Sequence, residues 1–150
     1  MAAVEGVIAG VDSIIALFNA RKMDLPDNFF DRRTQFVING AAFETLLGRS
    51  KDDPLILMLA RGPAGFRFAA KALQHAIPDV SIERGEIEGG DPSRIAIQLW
   101  LSGRLRGTGE AINAVVPVVL KLAPAGPVEI AEATIDHAAL QKIRDARLRP

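Results

Sequence analysis

The stretch Trp100–Asn113, WLSGRLRGTGEAIN, gathers Gly103, Gly107 and Gly109 around Arg104, Arg106 and Thr108. Such a run could cradle a phosphate, because glycines let backbone amides converge on an anion and arginines neutralise it. The rest of the pattern fails. A phosphate loop passes from a strand through glycines to Lys-Ser/Thr and then into a helix. Here Glu110 follows Gly109, where it would repel an anion, and the β-branched run up to Pro117 opens no helix. A dinucleotide fingerprint fails for the same reason, since its glycines must open a helix. The glycines therefore read as bulge and turn residues between two long strands.

Other residue types could act at a site. Glu132 stands in PVEIAEATID, in register with Val128 and Ile130 if that strand is regular. A carboxylate among apolar neighbours has a raised pKa and can serve as a catalytic base. The plainer reading is a glutamate at a sheet edge, paired with an arginine. Glu129 falls on the opposite face. Asn39 closes the segment RTQFVING and could orient a ligand oxygen, or could simply be the turn residue before Gly40. Phe36 in the same segment is a candidate to touch a ligand. Arg67 and Lys71 are a helical turn apart and could meet an anionic group. Trp100 could stack on a ligand or anchor an interface. His75 near a helix end suits the helix dipole, and His137 reads as solvated. With no cysteine and 2 histidines, thiolate sites, disulfides and cysteine nucleophiles are excluded and a histidine metal centre lacks ligands. No metal and no cofactor is expected.

These residues need a scaffold. A chain of 150 residues suits one domain with a core of its own, and 49% apolar residues argue against disorder. Lys plus Arg and Asp plus Glu balance at 18 each, so no global field favours nucleic acid. Glu5 and Asp12 interrupt the apolar start, which predicts neither a signal peptide nor a membrane span, and hence a cytoplasmic protein. Val4, Ile8, Val11, Ile15 and Phe18 recur at helical spacing, predicting a helix over 3–21. RTQFVING reads as a strand. AAFETLLG reads as a short helix closed by Gly48, and Asp53 before Pro54 as the cap of another. A helix opens at Pro63, with Phe66, Ala69, Ala70, Leu73 and Ile77 on its inner face, and Pro78 ends it. The period then changes to two. VSIERGEIEG is a strand with a bulge at Gly85, without which Ile82 and Ile87 would face opposite ways. SRIAIQLWLSGRL, AINAVVPVVLKL and PVEIAEATID follow as strands, and Asp136 caps a closing helix. Helices followed by strands with short turns predict an α+β fold with an antiparallel sheet.

In this order the elements resemble the nuclear transport factor 2-like superfamily, and within it the SnoaL-like polyketide cyclases and ketosteroid isomerases. The likeness rests on the opening helix, the ING strand, a helix ending PD, IERGEIEGGDPSRIAIQLWLSG, the glycine-rich connection and the final GPVEIAEATID, from about Val4 to Arg144. It implies a cone: a curved antiparallel sheet wrapped over N-terminal helices, as in cystatin-like folds, around an apolar pocket for a hydrophobic small molecule. It implies an isomerase, cyclase or hydrolase, or else a non-catalytic ligand-binding or protein-interaction module of the same fold. It also implies a homodimer through the outer face of the sheet. Both faces of INAVVPVVLKL are apolar, which independently asks for a partner there. The acid and base positions of the relatives fall at Ala133, Leu105 and Val118, and the chain has no tyrosine. The segment 41–61 is longer than the usual link and reads as extra helix, either packing or a cover for the pocket.

Overall fold

Ile14 and Phe18 lie a helical turn apart on one face of α1 (Ala2–Asn19), with Val11 beside them, and all three are buried. Glu5 and Asp12 stay exposed on the other side. That amphipathic division makes the segment helical and fixes which side meets the sheet. The computed structural model describes residues 2–22, 29–42, 61–91, 93–124 and 127–147. β1 (Phe30–Ile38) and β2 (Ala41–Ala42) follow α1. Then come α2 (Gly62–Ala76), β3 (Ser81–Asp91), β4 (Arg94–Arg104), β5 (Ala111–Leu122), β6 (Val128–Ala133) and α3 (His137–Arg147). Ala41 and Ala42 pair with β1 as a strand, where the sequence suggested the start of a helix. The rest of the expected extra helical segment, 43–60, lies outside the described residues.

The six strands form one open sheet in the order β2-β1-β6-β5-β4-β3. Neighbours run antiparallel except β1 and β6, which run parallel. This is where the sheet departs from the purely antiparallel expectation. The two parallel strands are joined by everything between them, and the long crossover suits parallel pairing. Thr34 locks the pair: its buried hydroxyl donates to the Val128 carbonyl at 2.6 Å and accepts from the Asp31 amide at 2.8 Å.

The predicted bulge in β3 is present. Arg84 pairs with Leu99 and Ile87 with Ile97, so β3 carries one extra residue and Ile82 and Ile87 reach the same face. β4 and β5 then pair without interruption from Arg94 with Lys121 to Arg104 with Ala111. α1 is tied to β3, a sheet edge, by Asn19, whose amide donates to the Ile82 carbonyl and accepts from the Ile82 amide, both at 2.9 Å. Arg21 donates to the carbonyls of Pro78 and Val80. α2 begins with Pro in its first turn and ends at Ile77, as the sequence predicts. α3 is capped by Asp136, whose carboxylate accepts from the Ala139 amide at 3.1 Å.

Two groups of buried side chains make the core. One joins Phe18, Ala70, Ile77, Val80, Leu101, Leu105, Ile112 and Ala146. The other joins Val11, Ile95, Ile97, Leu120, Leu122 and Val128. Ile77 and Ile95 are fully buried, and each such side chain stabilises the fold by about 1.5–3 kcal/mol. No helix among the described residues is long and apolar enough to cross a membrane.

Candidate functional site

A cavity of about 260 Å³ lies where the two core groups meet. α1 contributes Val11, Ile14, Ile15 and Phe18, and α2 contributes Phe66, Ala69, Ala70 and Leu73. The facing wall is the sheet: Ile97 and Leu99 of β4, Val118 and Leu120 of β5, Ala131 and Ala133 of β6. Period-two alternation brings those six to one face, and the register sets Ile97 beside Val118 and Val118 beside Ala133. Phe29, Phe30, Phe36 and Phe66 close one side as a connected cluster. Their centroids stand 4.9 Å (Phe29–Phe30), 5.3 Å (Phe30–Phe36) and 5.4 Å (Phe30–Phe66) apart, edge-on or tilted. Among the described residues every lining side chain is a hydrocarbon.

Of the residues proposed from sequence, Phe36 stands in this wall. Glu132 does not. Leu122 pairs with Val128 but Lys121 pairs with Ile130, so β6 bulges at Glu129. The extra residue breaks the register that the sequence suggested between Val128 and Glu132. Val128 turns into the core, while Glu132, paired with Val119, does not line the cavity. Its carboxylate accepts from Lys121 Nζ at 3.4 Å, and both side chains are about two-fifths exposed. Two of the cavity-facing positions on these strands, Ala133 and Val118, are cross-strand partners. These are two of the positions where the acid and base of the resembling proteins fall.

Asn39 closes β1 with φ of 53°, a left-handed conformation that asparagine tolerates. Its amide donates to the Ala133 carbonyl at 2.9 Å, and its Oδ1 accepts from the Ile135 amide at 2.8 Å. It thus ties β1 to the chain leaving β6, and it is not among the residues lining the cavity; its buried Nδ2 finds no hydrogen-bond partner among the described residues. Arg67 and Lys71 are exposed on α2 and lie outside the lining. Trp100 is on the outer face of β4, 55% exposed, opposite Val115 and Glu83. Gly85 makes room for it: a Cβ there would stand 2.8 Å from Trp100 Nε1.

The glycine-rich stretch is a turn that holds a helix end. Arg106 donates from its backbone to the Ala76 carbonyl at 2.7 Å and from Nε to the His75 carbonyl at 2.7 Å. These are the last carbonyls of α2, which lack helical donors. Arg104 Nη1 donates to Gly109 O. Both arginines are therefore engaged with carbonyl oxygens. A notch of about 130 Å³ between this turn and α3 contains Arg106, Thr108, Glu110, Lys142 and Asp145, and Lys142 pairs with Glu110 at 2.9 Å. Charges of both signs cancel there.

No protein-family model matches the sequence, and no curated protein matches it. Solved structures do. One is a protein proposed to be a SnoaL-like polyketide cyclase from Jannaschia sp. CCS1: TM-score 0.67, 12% identity, covering 96% of this chain and 93% of that one. Another is IdmH from Streptomyces antibioticus, also proposed to be a polyketide cyclase: TM-score 0.63, 11% identity, covering 94% and 97%. A third is a protein with a ketosteroid isomerase-like fold from Catenulispora acidiphila DSM 44928: TM-score 0.61, 11% identity, covering 93% and 96%. At such identities the likeness is one of fold, and function has to come from the site.

Proposed function

We propose that this chain, built on the nuclear transport factor 2-like fold, is a binding protein that holds a hydrophobic small molecule between α1, α2 and the sheet. The observation that carries the reading is the lining: among the described residues it offers hydrocarbon on every side. Proton transfer needs an acid or base within hydrogen-bond reach of the reacting atom. Ala133 and Val118 supply a methyl and an isopropyl group where such a residue would act. An isomerase or cyclase mechanism would rely on Glu132, whose carboxylate is engaged by Lys121 and does not line the cavity.

Native mass spectrometry of the purified protein tests the reading. A neutral, organic-extractable adduct at one per chain is expected. A protein that carries none, and takes up no hydrophobic probe when saturated with one, would overturn it. A Glu132→Gln variant is expected to bind as the parent does, because an exposed ion pair contributes about 0–1 kcal/mol and none of it faces the ligand.

The outer face completes the proposal. Trp100 and Val115 are cross-strand partners, 55% and 49% exposed, with Pro117 also exposed nearby. An aromatic anchor beside aliphatic neighbours is what an interface core uses. The occupant is a second copy of the chain, sheet against sheet. Trp100→Glu should then give monomers by light scattering at concentrations where the parent is dimeric; an unchanged oligomer places the interface elsewhere.

A further inference from the structure

The size and lining of the cavity narrow the ligand further, in an inference that rests on the binding reading above. Pockets for drug-sized ligands measure roughly 300–1,000 Å³, and this space measures about 260 Å³. An engineered apolar cavity of about 150 Å³ in another protein holds one benzene. In that proportion this one holds roughly ten carbons. A four-ring polyketide skeleton would extend well beyond it.

The lining then decides polarity. A carboxylate or ammonium placed here would lose its water and find no partner among the described residues, which costs several kcal/mol even after relaxation. A hydroxyl or amide would lose hydrogen bonds without replacement. The rings decide the rest. Phe29, Phe30, Phe36 and Phe66 are already packed edge-on and tilted to one another, and all four border the space. A fifth ring continues that arrangement, since ring edges are positive and ring faces negative. A saturated molecule of the same size gains only the area term.

We infer that the ligand is a compact, uncharged arene of two fused rings, seated against the phenylalanine cluster.

The test is titration of the full-length protein with naphthalene, decalin, pyrene and 2-naphthoate, followed by NMR of isoleucine, leucine and valine methyls. The methyls of Ile14, Ile97 and Leu99 report on the cavity. Naphthalene is expected to shift them and to bind several-fold tighter than decalin and at least tenfold tighter than 2-naphthoate or pyrene. If no hydrocarbon moves the cavity methyls, the binding reading itself fails. If hydrocarbons bind but pyrene, decalin or 2-naphthoate equals naphthalene, the binding reading stands and the ligand class is wrong. Ala131→Phe, which fills part of the space from β6, should weaken naphthalene at least tenfold while benzene still binds. Equal loss of both probes would overturn the size argument. Ala69→Leu on α2 makes the same comparison from the helix side should the first variant fold poorly.

Discussion

Ala133 shows how much one side chain decides. Its methyl faces the cavity beside Val118. Replacing it with aspartate would put a carboxyl among hydrocarbons, and desolvation would raise its pKa. The sign follows: below the ordinary aspartate pKa the group is neutral in both folded and unfolded chains and costs little. As pH rises from that value to the raised folded value, only the unfolded chain ionises freely, and stability falls. Ala133→Asp should therefore lose roughly 1–3 kcal/mol at neutral pH and recover it in acid, which thermal unfolding across pH would show. Asp91 gives the opposite case. The Ser93 amide and hydroxyl both donate to it, at 2.9 and 2.7 Å, and with Arg94 nearby they hold its carboxyl below the usual range. Its contribution to the β3–β4 turn is present above the ordinary pKa and is lost as pH falls through the lowered one. The melting-temperature gap between the parent and Asp91→Asn should shrink on acidification. A gap that stays constant with pH would assign the turn's stability to something other than this carboxylate.

At the scale of elements, β4 and β5 were plain in the sequence, because each alternates through its full length and their turn is marked by glycines. The β3 bulge was also plain: Ile82 and Ile87 cannot share a face without it. The face of Glu132 was not. A bulge at Glu129 reverses parity in a six-residue strand, and nothing in VEIAEA marks it. Nor was the parallel pairing of β1 with β6, since contact between segments so distant in the chain leaves no local pattern. Asn39 was recognised as a turn residue, but its bond to Ile135 depends on that same pairing. Gly103, by contrast, has a reason beyond the turn. Its φ is 157°, and a Cβ there would overlap Ile77 Cγ2 and lie 3.1 Å from Val80 Cα. The link from α2 to β3 crosses β4 at this point, and the Arg104 amide beside it donates to Asp79 at 2.7 Å. Gly103→Ala should cost about 1–3 kcal/mol by overpacking, measured by denaturant titration; a neutral result would mean the link shifts freely.

For the whole molecule, the two faces of the sheet have different tasks. The inner face meets the helices and leaves the cavity, and the outer face offers Trp100 and Val115. If a second copy covers that outer face, folding and association are linked, and the melting temperature should rise with protein concentration in the parent. In Trp100→Glu it should not. A concentration-independent parent would count against the dimer.

The strand order also sets a timetable. β6 is the last of the six described strands to be synthesised, yet it takes third place in the sheet, between β1 and β5. Thr34 and Val128, which lock β1 to β6, are 94 residues apart in the chain. Closing so long a loop comes before any reward from the contact, which slows folding. Throughout synthesis of that interval, β1 waits beside a vacant position in the sheet. The nascent chain is thus most exposed to mispairing before its final strand is made, and any chaperone serving it would act in that interval.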